Sequence, residues 1–504
     1  MPRAGFEKVR TGCKTCKTRK VKCDEAKPVC SRCLKSGRDC GGYEVPPTGS
    51  ISWSRLLSSG NTPAEARSLD LFRCIAAPVF SGPSTTSLWT RRMLQLTMQE
   101  GPARDAILAI SLLYESPNLH PLVSHQKEQQ TAVMYYNRAL RLVATKDLDT
   151  EIVLYLSILF TCVEFLRYNA PAAIQHCLHA VRIFQGSDKG RLPLSLSAVM
   201  RQLAGFTYFF GATLSGSPLL PYDAISCHGF RSTLEAAEAL DGLMLRTLTL
   251  VREVYSLRRG LLAAFVLPPP WLARWRSLRQ DLDAWYSGLA VLRVQQLATP
   301  PDGEAMSLCR VLEMRWLVSD IWVDSRLFPN ETIYDAYRGQ FERILSMATD
   351  EAHSRESLGA SDTRKFRFES KLAPQLHFAV LKCRFLPERL QFLALFKKLA
   401  YQREALWDAV QLEEIGRLAI EREHGIELAS ESIDSLLATP MGALTVPSEG
   451  RRIMDYLVDG ETETRTLPSG SKVSRRSICL TYRPDRQGPV VDVKDWIILE
   501  RQPS

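Results

Sequence analysis

Residues 13–40 read Cys13-Lys14-Thr-Cys16-Lys17-Thr-Arg19-Lys20-Val-Lys22-Cys23-Asp-Glu-Ala-Lys-Pro28-Val-Cys30-Ser-Arg32-Cys33-Leu-Lys35-Ser-Gly-Arg-Asp-Cys40, the unit C-x2-C-x6-C written twice with six residues between the copies. Two thiolates separated by two residues can grip one metal ion, and Zn2+ takes four ligands in a tetrahedron. Six thiolates fill the eight positions of two zinc ions when two of them bridge both metals. Such a cluster carries a net charge of about −2, thiolates counted against divalent ions. Lys14, Lys17, Arg19, Lys20 and Lys22 crowd its first copy and favour that charge.

Other uses of six cysteines fit less well. The chain opens Met1-Pro2-Arg3-Ala4 with no apolar stretch before Cys13, so no secretory signal and no disulfide framework are expected. A RING or zinc-ribbon site wants longer gaps or a histidine ligand, and the first histidine is His120. An iron–sulfur site gives no reason for five basic residues in so short a run.

The segment resembles the DNA-binding domain of the fungal zinc binuclear cluster transcription factors, whose six-cysteine spacing it matches without a gap. The resemblance implies a short helix and an extended strand in each half, two Zn2+ and bridging by the first and fourth cysteines. Cys13, Cys16, Cys23 and Cys30 would hold one ion and Cys13, Cys30, Cys33 and Cys40 the other, with Pro28 as the loop proline between the halves. It also implies a nuclear regulator of RNA polymerase II transcription whose partner is double-stranded DNA. In that family, basic residues ending the first helix read a CGG-type triplet, which places Arg19 and Lys20 on base edges and Lys17 and Lys22 on phosphates. Guanine O6 and N7 accept from such donors in the major groove. Lys14, Arg10, Arg32 and Lys35 are further phosphate contacts, which orient a protein without selecting sequence.

Charge supports this division. Residues 1–50 hold twelve Lys and Arg against five Asp and Glu, a net of +7, out of +9 for all 504 residues. That asymmetry is the footprint of a nucleic-acid binder, and Lys17–Lys22 would also serve as an import signal. The domains expected are a zinc cluster at 10–42, a linker at 43–62, an all-helical region at 63–430 and a tail at 431–504. The linker is rich in Gly, Pro and Ser, and its few apolar residues, Ile51, Trp53, Leu56 and Leu57, make no sustained heptad for dimerisation.

Thr62-Pro63-Ala64-Glu65 is a capping box with proline at the first helical position. It predicts a helix to Ala77, before Pro78. Further helices are expected at about 86–100, 103–115, 124–145, 151–168, 172–185, 194–214 and 232–266. After Pro268-Pro269-Pro270 others follow at about 271–298, 304–326, 332–348, 369–384, 387–400 and 404–424, with an exposed loop at His353–Lys365. Ile152–Val163 is uncharged for only twelve residues, too short for a membrane span, and predicts a buried central helix. The region is similar to the fungal-specific regulatory domain that accompanies such clusters, through Leu94–Glu100 with Ala106–Ile110, and Ala405–Ala409. From Gly450 a short helix and strands near Val473–Tyr482 and Val491–Leu499 are expected.

The fold class is therefore a small metal-dominated zinc binuclear cluster domain, a large all-α domain and a short mixed α/β tail. Phosphate-binding glycine loops, G-x-S-x-G and H-E-x-x-H are absent from the sequence, so no enzyme is expected. Cys162, His176, Cys177 and His179 lack regular ligand spacing and read as packed or exposed side chains. Partners beyond DNA would be a second copy or other transcription regulators, with no membrane. A helical interaction platform or ligand sensor that uses the zinc module as a tether stays open as the second reading.

Overall fold

The computed structural model describes residues 13–19, 21–24, 30–37, 40, 61–116, 126–188, 192–210, 229–260, 267–297, 303–357, 365–428, 446–466, 472–485 and 488–502. Arg10, Lys20, Pro28 and the linker residues up to 60 lie outside them. The chain divides into two compact units, residues 1–70 and 71–504.

In the first unit each C-x2-C pair starts a single helical turn, α1 (Lys14–Thr18) and α2 (Ser31–Lys35). The capping box closes as the sequence predicts. Thr62 N donates to Glu65 Oε2 at 2.9 Å and Glu65 N to Thr62 Oγ1 at 3.3 Å, which starts α3 (Pro63–Leu71). The helix does not stop before Pro78. A π turn at Phe72–Ala76 leads into α4 (Ala77–Phe80), and this wider turn replaces the regular bonding that the proline ring would obstruct.

The body of the second unit is a chain of packed helices, each resting mainly on its sequence neighbours. They are α5 (Met93–Gln99), α6 (Gly101–Glu115), α7 (Gln126–Thr145), α8 (Thr150–Leu166), α9 (Ala170–Gly186), α10 (Leu194–Phe209), α11 (Thr233–Gly260), α12 (Pro269–Leu297), α13 (Gly303–Ser325) and α14 (Arg338–Ser357). The apolar α8 is buried from Ile158 to Leu166, as its sequence predicts. Among the described residues no helix is long and apolar enough to cross a membrane.

Several boundaries differ from the sequence reading. The loop expected at His353–Lys365 is helical to Ser357, because Glu351 is buried and bonded to Ser307 Oγ at 2.8 Å, Arg310 at 3.0 Å and Arg355 at 3.3 Å. The helix expected from 332 begins as a 3-10 segment at Glu331–Tyr337. Between 366 and 408 three two-residue strands replace helical ends: β1 (Phe366–Arg367), β2 (Arg403–Glu404) and β3 (Trp407–Asp408), ordered β1-β2-β3. The β2–β3 turn puts Ala405 at φ 52, a left-handed conformation that its side chain does not advertise. Glu404, fully buried, accepts from the backbone N–H of Lys371, Leu372 and Ala373 at 2.6, 3.2 and 3.2 Å. That carboxylate caps α15 (Ala373–Lys382), which starts four residues later than expected. The two helices that follow are α16 (Leu386–Leu399) and α17 (Ala409–His424), the latter capped by Asp408.

Long-range packing joins distant parts of the sequence. Phe80 meets Phe72, Trp89, Tyr114 and Phe366 edge-on, with ring centroids 5.0–6.3 Å apart. The segment after Gly450 contains one 3-10 turn, Glu449–Arg451, in place of the expected helix. It then forms an antiparallel sheet of β4 (Ile453–Thr466), β5 (Lys472–Tyr482) and β6 (Val491–Gln502). Ile453, Ile478, Leu480 and Ile497 of the sheet pack on Ile415, Leu418 and Ala419 of α17. Buried charges fasten this seam. Glu423 accepts from Ile453 N at 2.7 Å, while Lys382 and Arg384 donate to the carbonyls of Met454 and Ile453 at 2.8 and 3.0 Å.

Candidate metal centre and nucleic-acid interface

The two copies of C-x2-C-x6-C fold alike because each pair sits at the start of a helical turn. Cys16 N donates to Cys13 Sγ and Cys33 N to Cys30 Sγ, both at 3.3 Å, so the first cysteine of each pair takes the place of an N-cap. Cys13 N also points at Cys23 Sγ at 3.4 Å. N–H donors of this kind favour sulfur as thiolate.

The six sulfurs fall into two sets of four: Cys13, Cys16, Cys23 and Cys30, and Cys13, Cys30, Cys33 and Cys40, with the atoms of each set within 4.8 Å of one another. Cys13 and Cys30 belong to both. Sulfur separations are 3.7 Å for Cys13–Cys30, 3.8 Å for Cys13–Cys33 and 3.7 Å for Cys16–Cys30. A tetrahedron with zinc–sulfur bonds of about 2.3 Å has edges of about 3.8 Å, so the sulfurs stand at ligand spacing rather than at the ~2.0 Å of a disulfide. None of the six is joined in a disulfide. Cys13, Cys16, Cys30 and Cys33 are fully buried, whereas Cys23 and Cys40 are half-buried.

Burial, followed by crowding with neighbouring thiols, pushes the Cys16 and Cys33 thiols up, and burial raises Cys13 as well. Four thiolates in one small volume repel, and divalent cations between them reverse that cost. The donor set fits zinc in number, type and spacing. Residues 13–40 contain two zinc sites of the binuclear kind.

Asp24, which the sequence reading did not single out, holds the second half in place. Its carboxylate accepts from Ser31 N at 3.1 Å and Arg32 N at 3.5 Å at the start of α2, and its bonds to Ser31 hold its pKa below the ordinary value. An acid seven residues ahead of a helical turn is a signal that only the folded loop interprets.

The basic residues distribute unequally. Val21 packs against the cysteines, which turns its neighbour Lys22 outward, where it is exposed. Arg19 is half-buried and donates from Nη1 to Ser36 Oγ at 3.1 Å, bridging the two halves while leaving other guanidinium donors. Arg32 and Lys35 are exposed on α2. Lys14 and Lys17 lie on α1, and Lys20 and Arg10 lie outside the described residues.

Elsewhere among the described residues no group of three metal-ligating side chains comes together. His176 instead bonds Tyr136 Oη at 2.8 Å, and burial lowers its pKa to about 4. Cys162 and Cys177 are buried.

Residues 11–50 match the fungal Zn(2)-Cys(6) binuclear cluster domain. The chain is 27% identical over 213 residues to the aspercryptin biosynthesis cluster-specific transcription regulator atnN of Emericella nidulans, covering 34% of each chain. It is 33% identical over 102 residues to the transcriptional regulatory protein moc3 of Schizosaccharomyces pombe, 19% of this chain and 20% of that one. It is 31% identical over 130 residues to the Zn(2)-C6 fungal-type transcription factor afumD of Aspergillus fumigatus, 23% of this chain and 35% of the relative. The matches thus span about a third or less of these relatives' own length. No solved structure matches the chain.

Proposed function

We propose that this zinc-cluster protein is a non-catalytic, nuclear, sequence-specific DNA-binding regulator of RNA polymerase II transcription that reads a CGG-type triplet. The observation that carries the reading is the pair of four-sulfur sets sharing Cys13 and Cys30, beside a segment with a net charge of +7. The names of the relatives, all regulators of transcription, point the same way.

In this reading Cys13, Cys16, Cys23 and Cys30 hold one zinc and Cys13, Cys30, Cys33 and Cys40 the other. The zinc supplies folding energy and rigidity, with no chemistry on the DNA. Residues 10–42 form the DNA-binding module, 43–62 a linker, 63–430 the regulatory body and 431–504 its terminal segment. Arg19 and Lys20 meet guanine O6 and N7, while Lys17 and Lys22, with Lys14 and Arg10, neutralise phosphates. The Arg19–Ser36 bond favours a base-reading role, because it fixes the arm of a forked donor before DNA arrives. A second copy of the chain is the partner expected where two triplets are bound together.

The test is selection of bound duplexes from a random pool by the zinc-loaded full chain, with a metal-depleted control. Enrichment of a CGG-type triplet only with zinc supports the reading, and two spaced copies support a dimer. No enriched sequence from a chain that holds two zinc ions would refute it.

A further inference from the structure

In the helical body, α10, α11, α13, α15, the loop before α15 and the β2–β3 hairpin line a half-open cavity of about 120 Å³. Roughly 150 Å³ accommodates a benzene ring in an engineered core; this space is somewhat smaller but half open, so it suits at most one ring whose substituents reach the mouth. Its lining includes the apolar side chains of Phe206, Phe209 and Leu248.

Five of the lining residues also carry a buried polar atom that the protein leaves without a hydrogen-bond partner: Arg201 Nε, Gln202 Oε1, Ser370 Oγ, Gln375 Oε1 and Trp407 Nε1. Gln375 is only 5% exposed. Buried polar groups are normally satisfied, and one left alone costs about 1–3 kcal/mol, so five on the residues around one space favour a bound molecule toward which these side chains turn. They include both signs of hydrogen bond. The two glutamine oxygens need donors, the indole and guanidinium nitrogens need acceptors, and the serine hydroxyl serves either.

Formal charges in the wall cancel. Arg315 pairs with Asp241 at 2.6 Å, and the remaining two charged residues of the lining, Arg201 and Glu369, are one of each sign. A charged ligand would therefore find no surplus counter-charge.

We propose that this cavity binds a small neutral molecule that carries hydrogen-bond donors and acceptors on a flat, one-ring apolar frame, such as a hydroxylated aromatic amide. The site is independent of the zinc module, and its occupancy is measured without DNA.

Gly205 makes the test clean. It lines the cavity on α10, and a Cβ built there meets nothing within 4 Å. Gly205→Leu therefore starts a side chain in open space at the cavity and removes a helix-weakening glycine. The full chain is titrated with 4-hydroxybenzamide, with toluene and benzoate as apolar and charged comparisons, by calorimetry and ligand-observed NMR. For a probe of about ten heavy atoms, saturable binding in roughly the millimolar range is expected. Gln375→Leu should weaken it roughly tenfold, the loss of one buried hydrogen bond. Gly205→Leu should abolish it while the melting temperature stays level or rises. Absence of saturable binding, equal binding of toluene or benzoate, or binding that survives Gly205→Leu overturns the proposal.

Discussion

Glu423 is the residue whose removal should most damage the fold. It is fully buried at the end of α17 and holds three partners: Arg389 Nη1 at 2.5 Å, Arg384 Nε at 3.2 Å and Ile453 N at 2.7 Å. Arg384 keeps Glu331 at 3.3 Å if Glu423 is lost, but among the described residues no other carboxylate pairs with Arg389, also fully buried. Glu423→Ala thus strands one buried guanidinium, about 3–5 kcal/mol, and leaves the first N–H of β4 unpaired, about 1–3 kcal/mol. The two share one cavity and will not add fully, so about 4–6 kcal/mol is expected. The double variant Arg389→Met/Glu423→Leu should recover much of this, since it buries no orphan charge.

The pH dependence has a fixed sign. Burial alone would raise the Glu423 pKa, but Arg384 and Arg389 hold it below the ordinary carboxylate value. A depressed folded pKa contributes stability above the unfolded value, about 4.3, and the contribution is lost as pH falls through the folded value. Urea titration of the full chain, followed by circular dichroism at pH 7 and at pH 4 and below, measures both effects. The cost of Glu423→Gln should shrink on acidification. A loss under about 1 kcal/mol for Glu423→Ala at pH 7, with unchanged denaturant slope, refutes the argument that this ion cluster fastens the sheet to the bundle.

Other outcomes can be stated briefly. Metal analysis should give two zinc ions per chain, and chelation, removing about 10–16 kcal/mol per structural zinc, should abolish DNA binding with little loss of helical signal, since α1 and α2 are five residues each. Loss of most of the helical signal would contradict the separation of the two units. Lys20→Ala should reduce discrimination among triplets, whereas Lys22→Ala should weaken binding to all duplexes alike and lower the salt slope by about 1; equal losses on specific and random DNA for both would refute the assignment. Glu404→Gln should cost about 2–4 kcal/mol in urea titration, because its carboxylate accepts three N–H groups at the start of α15, and a change below about 0.5 kcal/mol would mean the cap is dispensable.

The sequence by itself determined the metal module, because ligands spaced two and six residues apart answer a local question: which thiolates can reach one ion. It also located the main helices through caps, prolines and apolar periodicity, and the Thr62–Glu65 box closes on the atoms its pattern names. Tertiary structure decided what local rules miss. Ala405 enters a left-handed turn because Glu404 is drawn under α15, and nothing in Ala405-Leu406 signals a hairpin. His353 stays helical because Glu351, two residues before it, is bonded to α13. Phe366 reaches Phe80 across almost three hundred residues, and Glu423 finds Ile453 N only after the sheet has packed. The cavity beside Gln375 likewise exists only where five separate segments converge. Local backbone preferences are worth about 1 kcal/mol per residue, whereas burying a charge or an aromatic ring is worth several, so at these positions the distant contact prevails.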